Sequence, residues 1–367
     1  MKIAMFGQKH TLSREGGVEI VVRELATRMA ARGHAVVCYD RKARHVSGEA
    51  MEAQPEYRGV KIVPVWTIER KGFAALTASF SAAWRATWSD ADVVHIHAEG
   101  PAAMCWLPKL RGKRVVVTVH GLDWQRAKWR GLASSYIKWG ERQAARRADG
   151  IIVLSRRVQD YFRRTYGRDT VYIPNGVDRP EIREADEIKK RWGLTKDSYV
   201  LFLSRIVPEK GPQYLIEAWK GVKTDKKLVI AGGSSDTEPF LDALKRSGGE
   251  GVVFTGFQQG RVLEELYSNS YAYCLPSDLE GMPLSLLEAM SYGNCCVVSD
   301  IAECTEMVED RAVVFRRADA EDLRRVLQAL LDAPGTVRKY REGASGFVLN
   351  RYSWEAAVDA TLALYGR

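Results

Sequence analysis

Short apolar runs alternate along the chain with stretches in which apolar residues recur every three or four positions. The runs Ile3 to Phe6, Ala35 to Tyr39, Val60 to Val65, Val93 to His97, Arg114 to Val119, Gly150 to Leu154 and Thr170 to Ile173 read as strands. Between the first two, Val18, Val21, Val22, Leu25 and Met29 share one stripe, which predicts a helix from Val18 to Arg32 closed by Gly33. Pro174-Asn175-Gly176 then breaks the pattern and is the candidate hinge. The alternation restarts at Tyr199 to Leu203 and continues through Lys227 to Ala231, Val252 to Thr255, Tyr271 to Leu275 and Cys295 to Ser299. Tyr352-Ser353-Trp354 opens a last helix running to Tyr365, with Ser353 as its expected cap. Strand and helix in regular succession predict an α/β protein with doubly wound parallel sheets covered on both faces.

Two segments of the second half carry candidate chemistry. In Ser277-Asp278-Leu279-Glu280-Gly281-Met282-Pro283-Leu284-Ser285-Leu286-Leu287-Glu288, Pro283 suits the first position of a helix, where its missing N–H is no loss. The N–H groups of Leu284, Ser285 and Leu286 would then lack intrahelical acceptors and, with the helix dipole, form an anion site fit for a diphosphate. Glu280 on the loop and Glu288 inside the helix would accept hydrogen bonds from sugar hydroxyls, although the spacing alone equally fits two solvated glutamates. Ser204-Arg205-Ile206-Val207-Pro208-Glu209-Lys210-Gly211 follows the strand Tyr199 to Leu203, so Arg205 and Lys210 belong to the sheet's carboxyl edge, where such folds bind ligands. A guanidinium fork and an ammonium suit a leaving diphosphate; a pair of surface cations is the plain alternative.

In order along the chain, Gly16-Gly17-Val18-Glu19, Val117-Thr118-Val119-His120-Gly121, Ile173-Pro174-Asn175-Gly176-Val177-Asp178, Ser204 to Gly211, Phe254-Thr255-Gly256-Phe257 and the segment from Glu280 to Glu288 resemble the GT-B glycosyltransferases that use nucleotide sugars, in particular the retaining family four. The resemblance implies two Rossmann-like domains facing a deep cleft. Residues 1–174 plus 350–367 would bind the acceptor and residues 175–349 the donor, with the final helix crossing back onto the first domain. It also implies that His120 contacts the donor sugar and that transfer retains the anomeric configuration. Ile301-Ala302-Glu303-Cys304-Thr305-Glu306 departs from the family pattern, lacking the glycine-rich turn often found after that strand.

Further candidates cluster at strand ends of the first half. Eight residues separate Gly7 from Gly16, too many for a dinucleotide fingerprint. Gly16 and Gly17 would let backbone N–H groups approach a phosphate or the sugar, with Glu19 near the acceptor; a simple helix-entry turn is the other reading. His97, Glu99 and Asp123 are expected acceptor contacts. Asp90-Ala91-Asp92 has the DxD form of a metal site, but it precedes its strand and so lies at the opposite sheet edge; it reads as a turn. With Arg205, Lys210 and a helix N-terminus to neutralise the diphosphate, no metal or other cofactor is required.

Composition adds a location. The chain of 367 residues is 46% apolar and has no run long enough to span a bilayer. Met1 to Phe6 reads as a strand, not a signal peptide. Cys38, Cys105, Cys274, Cys295, Cys296 and Cys304 lie in apolar surroundings without a CxxC pair, as core thiols of a reducing cytoplasm do. Residues 1–180 hold 31 Lys and Arg against 17 Asp and Glu, and the remainder 24 against 29. Between Lys109 and Arg147, 11 basic residues face only Asp123 and Glu141, interleaved with Trp106, Trp124, Trp129 and Trp139. Cations with interfacial tryptophans suit the anionic inner leaflet and a peripheral protein there; a basic surface over core tryptophans is the alternative. No nucleic-acid-binding module accompanies the charge.

The expected activity is transfer of a hexosyl group from a nucleotide sugar to a glycan or lipid-linked oligosaccharide, uridine being the default base and thymidine-linked rhamnose the alternative. Arg205 and Lys210 would stabilise the leaving group, Glu280 orient the sugar, Glu288 the ribose, and the backbone at Gly256 and Phe257 the base. A sugar-nucleotide epimerase and a non-catalytic nucleotide-binding scaffold at the membrane share the fold and remain open.

Overall fold

A computed structural model describes every residue except 42–53, 69, 71–72, 126–130, 235–236 and 367. Trp129 of the basic segment lies outside the described residues. The chain divides into two compact units, Met1–Gly176 with Trp354–Arg367, and Val177–Ser353. The sequence-based division was placed at 174/175 and 349/350.

The amino-terminal unit holds β1 (Lys2–Phe6), β2 (Ala35–Arg41), β3 (Glu56–Tyr57), β4 (Val60–Val65), β5 (Val93–His97), β6 (Arg114–Val119), β7 (Gly150–Val153) and β8 (Val171–Tyr172). They form one sheet in the order β3-β4-β2-β1-β5-β6-β7-β8, parallel throughout except for the β3–β4 edge pair. β1 has β2 on one side and β5 on the other, so the chain leaves it in opposite directions: this is the switch point where loops part and a crevice opens. All four residues of β7 and all five of β5 are buried, as parallel strands covered on both faces must be.

The carboxy-terminal unit holds β9 (Tyr199–Leu203), β10 (Lys227–Ala231), β11 (Val252–Gly256), β12 (Ala272–Leu275), β13 (Cys296–Ser299) and β14 (Val313–Phe315), in the order β11-β10-β9-β12-β13-β14 and all parallel. Here β9 is the switch strand, with β10 and β12 beside it.

The expected helix after β1 spans Gly17–Ala31, with Gly33 in the left-handed region at φ 84° and its N–H donating to Ala30 O at 2.9 Å. The last helix, Trp354–Tyr365, packs on it within the amino-terminal unit. Arg28 and Arg32 meet Glu355, and Arg32 also meets Asp359. Exposed pairs of this kind add little. Burial of Trp354, Val358, Leu364 and Tyr365, at roughly 2 kcal/mol per side chain, holds the helix in place. All six cysteines are free and buried, and burial pushes the thiols of Cys105 and Cys295 up to about 12, so they stay protonated and unreactive.

Candidate active site

Adjacency of β9 and β12 assembles the charged part of the site. The loop after β9 carries Arg205 and Lys210, and the loop after β12 carries Ser277 to Pro283; they meet because the strands pair. Gly211, at φ 71°, makes the approach possible, since a Cβ there would lie 1.9 Å from Pro276 O. Asp278 N–H donates to Glu209 O at 2.9 Å and locks the loops together.

Within this junction the Lys210 ammonium is 2.6 Å from both carboxylate oxygens of Glu280, and Ser277 Oγ donates to Glu280 Oε1 at 2.6 Å. The two side chains are 14% and 4% exposed, so water screens the pair weakly. This corrects the expectation that Glu280 is tolerated by neutral donors alone. Its charge is met by Lys210, and a ligand would have to share that ammonium. Glu288 does have a neutral donor, the Tyr267 hydroxyl at 3.1 Å.

The helix beginning here spans Leu284–Ser291. Pro283 is its N-cap and not its first residue: its ψ of 104° is still extended. Its carbonyl accepts the N–H of Leu286 at 3.1 Å and of Leu287 at 3.3 Å. Leu286 is therefore withdrawn from the expected anion site. The N–H groups of Leu284 and Ser285 donate to nothing among the described residues and remain as its donors. The Ser285 hydroxyl accepts from Tyr273 at 2.8 Å. At the end of β11, Gly256 is exposed with φ 71° and Phe257 is half-buried beside it.

One residue of this edge escaped sequence reasoning. Glu303, in the segment that departs from the family pattern, is 6% exposed on the helix Ala302–Val308. The buried Cys304 thiol, on the same helix, feels the charges of Glu280 and Lys210, so this helix starts close to the ion pair.

The carboxyl edge of the amino-terminal sheet is differently made. Gly7, at φ 120°, follows β1, and a Cβ there would lie 2.0 Å from His97 O, so the β1 and β5 ends close together only because it is glycine. Asp40 at the end of β2 accepts from Thr11 N–H at 2.8 Å, Thr11 Oγ1 at 2.6 Å and Gln8 Nε2 at 3.0 Å, which pins the loop after β1. Gly16 caps the first helix and Gly17 opens it. Glu19, expected to meet the acceptor, instead turns back to the loop. Its Oε1 accepts Lys9 N–H at 2.9 Å, and its Oε2 lies close over Gly16.

His97 Nδ1 and His120 Nε2 are 3.1 Å apart, so one carries the proton the other accepts. His97 is fully buried and its Nε2 has no partner among the described residues. The expectation of direct acceptor contact is corrected: it supports His120, which is itself 8% exposed. His95 lies behind, its ring 4.1 Å from that of His97, bonded to Tyr365 Oη at 2.6 Å and Thr118 Oγ1 at 2.7 Å. Burial holds His95 neutral, with a pKa lowered to about 3, and lowers that of His97 well below its ordinary value.

Glu99 is also fully buried, and it too is a positioning residue and not an acceptor contact. Its Oε2 accepts Asp123 N–H at 2.7 Å. Its Oε1 has no donor among the described residues, and the Glu141 carboxylate lies near enough to act on it. Burial, then Glu141, push the Glu99 pKa well above the usual carboxylate range. Glu141, fully buried and not singled out by the sequence, collects donors from Trp124 at 3.2 Å, Tyr161 at 2.8 Å and Tyr166. Asp123 stays half-exposed.

Asp90 and Asp92 sit before β5, at the sheet's amino edge. Lys2 Nζ bonds to Asp90 at 2.7 Å and Lys2 N–H donates to Asp92 at 2.7 Å. They tie strands together. Among the described residues no cluster of three or more His, Cys, Asp or Glu is placed to hold a metal ion.

Comparison with known proteins decides the family. The sequence profile of Glycosyltransferase Family 4 matches residues 15–180, and that of Glycosyl transferases group 1 matches residues 184–347. The chain belongs to the family-four glycosyltransferases of GT-B fold. It is 26% identical to an alpha-D-kanosaminyltransferase of Streptomyces kanamyceticus, over 74% of this chain and 76% of that one. It is 30% identical to the UDP-Gal:alpha-D-GlcNAc-diphosphoundecaprenol alpha-1,3-galactosyltransferase of Escherichia coli, over 57% and 58%. A solved sucrose-phosphate synthase from Thermosynechococcus elongatus superposes with a TM-score of 0.84 at 22% identity, covering 99% of this chain and 98% of the other. In this glycosyltransferase the profile boundary at 180/184 lies close to the division at Gly176.

Proposed function

We propose that this glycosyltransferase moves a hexosyl group from a nucleoside diphosphate sugar to a glycan or lipid-linked oligosaccharide with retention at the anomeric carbon. The observation that carries the reading is the junction of β9 and β12: a half-buried ammonium paired with Glu280, Arg205 on the same loop, and the free N–H groups of Leu284 and Ser285. Cations and amide donors gathered at one edge suit a charge that grows during reaction, the diphosphate released as the glycosidic bond to phosphate breaks. In a front-face route the departing phosphate oxygen takes the acceptor's hydroxyl proton while the acceptor oxygen bonds to the anomeric carbon on the same side. The protein then supplies position and charge. No step in this route calls for a metal ion.

Glu280 orients sugar hydroxyls and pre-sets Lys210, Glu288 binds the ribose, and His120, backed by His97, bonds to the sugar. A uridine donor and a lipid diphosphate acceptor are supported by the name of the Escherichia coli relative. Thymidine-linked rhamnose is the alternative donor. Such an acceptor places the work on the inner face of the plasma membrane; no helix among the described residues is long and apolar enough to cross it. The test is a panel of nucleotide sugars screened for thermal shift and, for each hit, release of nucleotide with and without acceptor, in the presence of EDTA. Acceptor-dependent release that survives EDTA supports the proposal. Conversion of the donor without any acceptor would replace it with epimerisation.

A further inference from the structure

The basic segment from Lys109 to Arg147 does not display its tryptophans as expected. Trp106 and Trp124 are half-buried against the core, and Trp124 donates to the buried Glu141. Of the described members only Trp139 is exposed, at 41%. The unpartnered aromatics lie elsewhere.

Helix Phe73–Trp88 buries a face of small residues, Ala78, Ser79, Ala82, Ala83, Ala86 and Thr87, against the amino-terminal sheet. Its opposite face should be polar. Instead Phe80, Trp84 and Trp88, spaced by four so that they align, are 45%, 50% and 58% exposed. Their rings form a ladder with centroids 6.3 and 5.8 Å apart. The neighbouring short helix Trp106–Leu110 packs on this one and adds Leu110, 72% exposed. Arg111 follows, its guanidinium 4.7 Å from the Trp88 ring centre. The long helix contains no acidic residue, and its Arg85 is exposed beside Trp84.

We infer that this ladder is a docking surface for an anionic phospholipid bilayer, on which helix Phe73–Trp88 lies flat. Three observations select that occupant. Solvent-facing indole and phenyl rings, one of them under an arginine, suit the boundary between headgroups and acyl chains, where an amphipathic ring is at home. Arg85 and Arg111 flank the ladder in a half whose 31 basic residues exceed its 17 acids, so phosphate headgroups complement it. A second copy of the chain would set the same arginines against each other across a two-fold contact, which disfavours self-association through this face. The ladder from Phe80 to Trp88 is about 12 Å long, enough to touch several headgroups while lying in the interfacial plane. Its purpose rests on the proposed lipid-linked acceptor; its physics does not.

The experiment is co-sedimentation of the full chain with phosphatidylglycerol-containing and pure phosphatidylcholine vesicles, at low and high salt, without donor or acceptor. Wild type should bind the anionic vesicles and release at high salt. Trp84→Ser with Trp88→Ser should weaken binding at least about tenfold at an unchanged melting temperature, because both side chains face solvent. Arg85→Glu with Arg111→Glu should abolish the preference for phosphatidylglycerol. Brominated lipid should quench wild-type fluorescence, and less so after Trp84→Phe with Trp88→Phe, a change that keeps the surface apolar. Absence of wild-type binding, undiminished binding of the serine variant, or a fall in sedimentation mass of that variant without vesicles would overturn the inference, the last by showing a protein interface. Turnover on a soluble acceptor, measured in parallel, separates the questions: lost turnover with intact vesicle binding counts against glycosyl transfer alone.

Discussion

The carboxyl edges of the two sheets are built from the same topology and opposite electrostatics. In the amino-terminal unit burial pushes the titratable groups on β5 and just after it toward their neutral forms: it lowers the pKa of His95 to about 3 and that of His97 well below its ordinary value, and raises that of Glu99 well above the usual carboxylate range. In the carboxy-terminal unit a lysine and a carboxylate face each other as a formal ion pair next to open amide donors. A neutral, hydrogen-bonded edge fixes shape, because low dielectric penalises any misplaced proton. A paired, charged edge can exchange partners, because an incoming diphosphate offers Lys210 an equivalent anion. Under the proposed function, the contrast would assign positioning to one half and charge stabilisation to the other.

Lys210→Ala should break the comparison hardest. Turnover should fall by the order of a hundredfold if the ammonium acts as one oxyanion donor. Stability should drop by about 3 kcal/mol because Glu280 is left buried without its cation. Adding Glu280→Gln to Lys210→Ala should restore the denaturation midpoint but not turnover. Restored turnover in the double variant would show that Lys210 serves the fold alone.

Glu288→Ala should separate ground-state binding from chemistry within the charged edge. Loss of one hydrogen bond to a carboxylate should weaken nucleotide binding about tenfold by calorimetry, with kcat nearly unchanged. An equal fall in kcat would move Glu288 into the reacting centre.

The neutral edge is sharpened by pH. Glu99 has a folded pKa raised above its unfolded value, so the stability linked to its protonation is present at acidic pH and is lost as pH rises through the folded value. Glu141, Asp123, Trp124, Tyr161 and Tyr166 are the polar or titratable groups around that pair. Glu99→Gln keeps an acceptor for Asp123 and a donor for Glu141, so its melting temperature should match wild type at pH 5 and exceed it by a few degrees at alkaline pH. Parallel curves at all pH values would contradict a protonated Glu99.

The smallest effect should come from Asp90→Ala. The Lys2–Asp90 pair is exposed on both sides, so its loss should leave the melting temperature and turnover nearly unchanged. A collapse in activity rescued by magnesium would make the DxD a metal site after all.

Much of this was legible in the sequence, for a physical reason. Parallel strands buried on both faces are continuous apolar runs, so β5, β6, β9 and β10 announce themselves, and the polar residues that end them mark the sheet edges. What was missed depends on partners distant in the chain. β3 is two polar residues recognisable only through pairing with β4, and β14 is a three-residue edge strand running into arginines. The Lys210–Glu280 pair and the Glu99–Glu141 pair exist because strands far apart in sequence are neighbours in space. The Pro283 misplacement is different: an N-cap and a first helical residue differ by one ψ angle that composition does not encode. The aromatic stripe of helix Phe73–Trp88 was readable at a spacing of four, but its alanines gave the other face an equally good claim to the core.

A structure of the protein crystallised with uridine or thymidine diphosphate tests the central claim most directly. The account predicts the diphosphate within hydrogen-bond distance of Leu284 and Ser285 N–H, with Lys210 Nζ shared between it and Glu280 and the Arg205 guanidinium alongside. A diphosphate bound anywhere else, with the Lys210–Glu280 pair undisturbed, would contradict it.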